Sequence, residues 1–397
     1  MKLADLKIAV GHDDLTVPYA GGEKVFAAIA ETFPQADIFT SMITPWWANK
    51  VRTRSGIATL AKRDNLNKAS NERRIITTFM QRIPFKRKLQ KALFLLYPLA
   101  FESFDLSDYD LVISSSSRFA HGVITRPETK HICYMHSPGR MFWEPDHYFG
   151  SNSRLKTLLT PALSYLRLWD HAAAQRVNQF MANSKNVARK IKRYYGRDAE
   201  VVYPFVDLER FKPVVSSQEP GVANNYFLVV TRLAPWKRVE IAVEAANAVG
   251  AKLKVVGIGP DEKRLEKLAR SQESGVGSKK VEILGGVPDD QATELFQNCS
   301  ALIMTQEEDF GITSLEAQAC GKPVIAYGAG GALETVVAGK TGEFFASQDA
   351  EALAKVLKKF DQKRHRPEDC RANAEKFSKE RFQKELTRVV SQVIEDK

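Results

Sequence analysis

Glu308-Asp309-Phe310-Gly311-Ile312-Thr313-Ser314-Leu315-Glu316 is the stretch on which the architecture turns. Before it, Ala301-Leu302-Ile303-Met304 has the length and uniform apolarity of a strand buried on both faces. After it, Leu315 to Cys320 reads as helix, and Gly321 stops it. Glu308 therefore falls in a strand-to-helix loop, and Glu316 about five residues into the helix, roughly 8 Å along an axis rising ~1.5 Å per residue. Between the two carboxylates lie the amides of Phe310, Gly311 and Ile312, at a helix amino end suited to an anion. A sugar at one end, a ribose at the other and phosphate between would satisfy all three, which describes a nucleotide-sugar.

Outward from this stretch the same grammar repeats. Strands are expected at Tyr226–Val230, Lys252–Val256, Val281–Leu284 and Pro323–Tyr327. Helices are expected from Pro235 to Gly250 and at Asp261–Arg270, Asp289–Gln297, Ile312–Cys320 and Ala332–Val337. Short apolar strands alternating with helices imply parallel sheets. The amino-terminal half carries strands Leu6–Val10, Asp110–Ser114, His131–Met135, Gln179–Ala182 and Glu200–Tyr203, with helices Glu23–Phe33, Lys156–Gln175 and Lys185–Tyr195. The expected fold is α/β, with two Rossmann-like domains facing a cleft. The first covers 1–205 and is completed by a terminal helix at 379–397, and the second covers 206–378. Residues 213–225, polar with two prolines, read as a linker.

The 397 residues are 44% hydrophobic and 26% charged, an ordinary globular composition. Four scattered cysteines lack metal-ligand spacing and read as buried thiols of a reducing compartment. The start resembles no signal peptide, and no run is long enough to span a bilayer, so a cytoplasmic chain is expected. Residues 50–91 hold thirteen Lys and Arg against Asp64 and Glu72, which accounts for the whole net charge of +11. The apolar run Leu89–Pro98 follows. Two readings stand: a segment peripheral on an anionic membrane surface through 50–100, at the inner face of the plasma membrane, or a solvated face followed by a core helix.

Ligands of doubly wound sheets bind beyond the carboxyl ends of the strands. Arg232 and Lys237 stand at such an end, as two cations for a diphosphate. Gly328-Ala329-Gly330-Gly331 opens a helix, and Gly257-Ile258-Gly259-Pro260 is only a fragment of a dinucleotide fingerprint. Gly21-Gly22 either touches phosphates or makes a plain helix-entry turn. His136, Arg140 and Trp143 follow a buried strand and suit a sugar or acceptor pocket. His12, Asp13 and Asp14 stand where an acceptor hydroxyl would be within reach. Asp108-Tyr109-Asp110 has the short acidic pattern of metal-using transferases, but it precedes its strand, so strand-entry chemistry and no bound metal are expected.

Together these residues resemble glycosyltransferase family 4, retaining nucleotide-sugar enzymes of the GT-B fold. The resemblance rests on Gly21-Gly22, Arg232 with Lys237, the Glu308-to-Glu316 spacing, the following Ala-Cys-Gly-Lys-Pro-Val, and Phe377-Ser378…Arg381-Phe382, whose helix crosses back to the first domain. Tyr134-x-His136-x-Pro138-x-Arg140-x-x-Trp143 is similar to a mannosyltransferase branch of O-antigen and exopolysaccharide assembly, with Gly139 and Glu144 departing from it where a bulkier residue and Asp are expected. The resemblance implies GDP-mannose as donor, a lipid-linked or polysaccharide acceptor and no metal or prosthetic group. It places Glu316 on the ribose, Glu308 on the donor sugar, Arg232 and Lys237 on the diphosphate and His136 near the anomeric carbon. The catalytic set is thus His136, Arg232, Lys237 and Glu308. The donor set adds Gly21, Gly22, Phe310, Gly311, Ile312 and Glu316. The competing readings are a UDP-sugar donor, a nucleotide-sugar epimerase, and a nucleic-acid-binding protein using 50–91, against which stands the lack of stacking aromatics before Phe79.

Overall fold

The computed structural model describes residues 3–17, 21–52, 72–89, 93–149, 154–214, 226–271 and 280–395. Half of the basic segment at 50–91, residues 53–71 and 90–91, therefore lies outside the described residues. The chain divides into two compact units, Met1–Tyr203 with Phe382–Lys397, and Pro204–Arg381.

The first unit is built on a seven-stranded parallel sheet: β1 (Ile8–His12), β2 (Asp37–Thr40), β3 (Ile75–Thr77), β4 (Leu111–Ser116), β5 (Lys130–Met135), β6 (Gln179–Ala182) and β7 (Ala199–Val201). Their order is β3-β2-β1-β4-β5-β6-β7, with Val10 opposite Ile38 on one side and Ile113 on the other. The second unit has six parallel strands: β8 (Tyr226–Val230), β9 (Lys252–Val256), β10 (Val281–Gly285), β11 (Ala301–Met304), β12 (Val324–Tyr327) and β13 (Gly342–Phe345). Their order is β10-β9-β8-β11-β12-β13. Both sheets reverse direction once, between β1 and β4 and between β8 and β11. These are the topological switch points at which crevices open beyond the strand ends.

Two central strands, β1 and β11, are buried at every position, because helices cover both faces of each sheet. Helix Lys185–Tyr195 shows how local sequence sets an element. The Ser184 hydroxyl accepts from the Val187 amide, Gly196 closes the helix at φ +70°, and Val187, Ile191 and Tyr195 bury one face. The terminal helix Lys379–Glu395 buries Phe382, Leu386, Val389 and Val390, with Phe382 edge-on to Tyr134 at 5.7 Å.

Three strands escape sequence reading. Strand β3 has three residues and β13 four, both at sheet edges, and β2 is a four-residue run bounded by an aspartate. Nor is Pro235 to Gly250 one helix. It divides into a 3-10 turn, Pro235–Lys237, and helix Val239–Val249, because Arg238 adopts φ +52°. The Arg238 guanidinium bonds Glu240 at 2.7 Å, and its amide donates to Pro235 O, which holds this left-handed residue in place.

Burial of His131 has a measurable consequence. Its side chain is fully enclosed on β5, next to the Ser114 hydroxyl at 2.9 Å, and burial pushes its pKa down from 6.5 to about 3. The unfolded chain therefore takes up a proton here that the folded chain refuses. Its contribution to stability is complete above pH 6.5 and declines as pH falls toward 3. Urea midpoints measured between pH 7 and pH 4.5 should fall, and His131→Gln, which keeps an acceptor for Ser114, should fall with a shallower slope. Identical slopes for the two proteins would contradict this.

Candidate functional site

In the second unit the carboxyl ends of β8 and β11 lie at the switch point. The residues after β11 run Thr305-Gln306-Glu307-Glu308 and lead into helix Ile312–Ala319, entered through Gly311 at φ +87°. Lys237 Nζ meets Glu308 Oε1 at 2.5 Å, with both side chains largely shielded from solvent, and Gln306 Nε2 donates to the same oxygen at 2.8 Å. The break at Arg238 supports this pair, because it leaves Lys237 O to accept from Thr305 Oγ1 at 2.9 Å. Residues on two different strand ends are thereby locked together at main chain and side chain.

Glycines fix the loop from the other side. Gly331 N donates to Glu308 O at 2.8 Å, and Gly330 bridges Glu308 in parallel register. A Cβ on Gly331 would lie 2.4 Å from Phe310 Cα, and one on Gly330, at φ +60°, 2.4 Å from Glu308 O. Only glycine allows this backbone approach. Gly257 and Gly259 likewise press against Thr231 O and Leu233 O, so they serve the loop that carries Arg232 rather than a dinucleotide. Arg232 itself is exposed, while Glu316 is buried in the helix, its side chain one turn beyond Ile312. The Ile312 and Thr313 amides belong to the first turn, whose donors have no intrahelical acceptor. The sequence expectation for Phe310, Gly311, Ile312, Glu316, Glu308 and Lys237 thus maps onto one strand-to-helix junction.

Behind the junction runs a buried network that sequence reading did not find. Ser314 Oγ bonds Gly311 O and Thr335 Oγ1, Gln318 Nε2 reaches Thr335 O, and Asn373 Nδ2 reaches both Gln318 Oε1 and Thr335 O. Asn373 arrives from a distant helix, and nothing in its sequence neighbourhood marks it. Gln306 was legible in principle, since it stands two residues past a strand end.

The switch point of the first unit carries its own constellation. Helix Gly21–Thr32 begins beside the ends of β1 and β4, and a Cβ on Gly22 would sit 3.7 Å from His136 Nε2. His12 Nδ1 lies 3.0 Å from Ser115 O and 3.1 Å from Ser115 Oγ, which in turn lies 2.8 Å from His136 Nε2. A carbonyl can only accept, so the bond from His12 Nδ1 to Ser115 O needs the proton on Nδ1, and the Ser115 hydroxyl joins His12 to His136. His136 is further held by its own backbone, with N donating to Ser116 O and O accepting from Asn183 Nδ2. Glu23 sits in the first turn of the same helix, and burial raises its pKa.

Other expectations are corrected. Asp13 accepts from the amides of Ser117, Phe119 and Ala120. Burial would raise its pKa, but Arg118, His12 and those amides outweigh it, and the carboxyl is held low. Asp14 is engaged by Tyr97 OH and Arg118. Both hold the loop after β4 rather than offering themselves to an acceptor. Trp143 donates its indole N–H to buried Asp170 at 2.6 Å, and its ring stacks on Tyr194 at 4.7 Å. Arg140 opens the short helix Arg140–Trp143, whose entry explains Gly139, since a Cβ there would fall 2.0 Å from Phe142. Glu144 pairs with Lys190 at 2.7 Å. Asp110 accepts from the Lys7 amide at the amino end of its strand.

Comparison with known proteins agrees with this geometry. The model described as Glycosyl transferases group 1 matches residues 215–377, and that described as Glycosyltransferase Family 4 matches 19–210. The fold is that of the GT-B glycosyltransferases. A human alpha-1,3/1,6-mannosyltransferase is 27% identical over 340 residues, 78% of each chain. A D-inositol 3-phosphate glycosyltransferase of Geodermatophilus obscurus is 29% identical over 201 residues, 46% of this chain and 45% of that one. The chain spans about half the length of such D-inositol 3-phosphate relatives. Among solved structures, the sucrose-phosphate synthase of Thermosynechococcus elongatus aligns with a TM-score of 0.71 at 18% identity, covering 98% of this GT-B chain and 99% of that one. Anabaena HepE in complex with UDP gives 0.67 at 17%, covering 97% and 100%. At these identities the structural likeness speaks for the GT-B fold alone.

Gly331→Ala tests the glycine contact. Filling space at a backbone-to-backbone contact should lower stability by about 1–3 kcal/mol in chemical denaturation. Unchanged stability would contradict the close approach.

Proposed function

We propose that this chain is a retaining, metal-independent glycosyltransferase that moves a hexose from a nucleotide-sugar to a glycan or lipid-linked acceptor. The Lys237–Glu308 pair at the amino end of helix Ile312–Ala319 carries this reading. It brings a cation, a carboxylate and first-turn amides to one switch point, and a diphosphate joined to a sugar needs all three. Mannose from GDP-mannose is the donor assigned, supported by the likeness to a mannosyltransferase over 78% of both chains.

In the reaction, the bond from the anomeric carbon to the phosphate oxygen breaks, and its electron pair leaves on the diphosphate. Lys237, Arg232 and the amides at 311–313 stabilise the charge that grows there. With a diphosphate bound, Lys237 shifts part of its interaction from Glu308 to phosphate, and Glu308 turns to the sugar. Glu316 takes the ribose hydroxyls. The acceptor hydroxyl attacks from the face the phosphate leaves and gives its proton to a departing phosphate oxygen. The new bond therefore keeps the configuration without a covalent intermediate. His136, held by Ser115 and His12, is assigned to the donor sugar near the anomeric carbon.

Lys237→Met should lower kcat by about a hundred- to a thousandfold, the usual effect of removing one stabilising donor, and Glu316→Ala, which removes the acceptor of the ribose hydroxyls, should raise the KM for the donor, while circular dichroism stays native in both. Chelators should leave the rate unchanged. In a thermal-shift series GDP should protect more than UDP or ADP, a ligand at a hundred times its Kd adding about 2.7 kcal/mol. Stronger protection by UDP would replace the donor assignment, and protection by none of the three would remove the transferase reading. Release of nucleoside diphosphate only in the presence of acceptor separates transfer from epimerisation.

A further inference from the structure

We propose, on the strength of the transferase reading above, that Trp46, Asn49 and Lys50 form a subsite for an interior sugar of the acceptor, which is therefore an oligosaccharide rather than a single sugar. Helix Pro45–Arg52 begins just beyond the carboxyl end of β2, and β2 runs beside β1 with Thr40 opposite His12. The loops after the two strands are bonded together, Leu15 N donating to Met42 O and Thr44 N to Leu15 O. The helix thus starts on the carboxyl face of the sheet, the face that carries His12 and the entry to helix Gly21–Thr32.

The two adjacent tryptophans differ sharply in surroundings. Trp47 is fully buried: its indole N–H donates to Val17 O at 2.9 Å, and its ring meets Phe26 edge-on at 6.4 Å. Trp46 is 47% exposed, with its ring edge-on to Trp47 at 5.0 Å. Core packing accounts for Trp47, and Trp47 in turn fixes the plane of an indole displayed at the surface. Lys50 Nζ lies 4.8 Å from the centre of the Trp46 ring, and Asn49 is exposed. Three and four residues on from Trp46, both share its face of the helix.

This mixture selects the partner. A pyranose has a flat face of C–H groups and a rim of hydroxyls. The indole matches the face, while the Asn49 amide offers donors and an acceptor to the rim and the Lys50 ammonium offers donors. An aromatic body with a few polar groups beside it is the usual make-up of a small-ligand site. A lipid chain would bury the amide and the ammonium without partners. A nucleic acid strand needs successive rings for its bases, and Trp47 is closed off.

Place in the sheet decides which sugar is held. In the order β2-β1-β4-β5, Trp46 follows β2 and His136 follows β5, three strand spacings away. At ~4.8 Å per spacing that is about 14 Å, longer than one sugar ring. The sugar at His136 cannot also cover Trp46, whereas an attached sugar further along the acceptor can.

The test titrates the full chain with mannotriose and with chitotriose, read by saturation-transfer NMR on the sugar C–H protons. The wild type should bind at least one of them. Trp46→Ala should bind that trisaccharide at least about tenfold more weakly, a change of 1.4 kcal/mol. Trp46→Phe, which keeps a ring, should stay within about threefold of the wild type. Should Trp46→Ala fail to fold, Asn49→Ala carries the same comparison. GDP should protect all variants as it protects the wild type, so a loss confined to trisaccharide leaves the donor site standing, and a loss of GDP protection by the wild type itself counts against the transferase reading instead. Binding of neither trisaccharide by the wild type, equal binding by wild type and Trp46→Ala, or sedimentation with phosphatidylglycerol vesicles that Trp46→Ala abolishes would overturn the proposal.

Discussion

The contact of Gly330 and Gly331 with the main chain of Glu308 to Phe310 is the constraint on which the rest depends. Without side chains at 330 and 331, the loop after β12 lies directly on the loop after β11. That position sets the entry to helix Ile312–Ala319 and aims Glu308 at Lys237. The left-handed Arg238 completes the arrangement from the β8 side, turning Lys237 toward Thr305 and Glu308. Two residues in positive φ, Gly311 and Arg238, thus flank one ion pair, and both are held by neighbours. Strain held in this way is a common feature of functional loops.

The first unit repeats the topology with different chemistry. At its switch point the Asp14–Arg118 pair holds the loop after β4, while the Ser115 hydroxyl links His12 to His136 at the edge of helix Gly21–Thr32. Buried carboxylates nearby serve the scaffold: Asp13 takes three amides of the loop after β4, and Asp170 takes Trp143 and Tyr195. Polar groups enclosed in a sheet must find partners, and in this unit those partners are mostly the protein itself. The distinction matters for function, since an acid wholly engaged by amides is a poor candidate for proton transfer.

Much of this was legible in the chain. Fully apolar strands alternating with capped helices announce parallel sheets, and the Glu308-to-Glu316 spacing around Gly311 announces a strand-to-helix junction. Lys185–Tyr195 could be delimited to the residue because Ser184 and Gly196 mark both ends. What failed has physical reasons. Three- and four-residue strands at the sheet edges, such as β3 and β13, are too short to show a period. The break at Arg238 arises from contacts with Glu240 and Thr305 that no local propensity records. Asn373 and Ser115 act through partners distant in sequence, and a single chain offers no signal for such pairings.

The most direct measurement of the central claim is a crystal structure of this chain grown with GDP. The account predicts diphosphate density against the amides of residues 311–313, Lys237 turned onto a phosphate oxygen, and Glu316 on the ribose hydroxyls. Nucleotide bound elsewhere, with the Lys237–Glu308 pair intact and that corner closed, would contradict it.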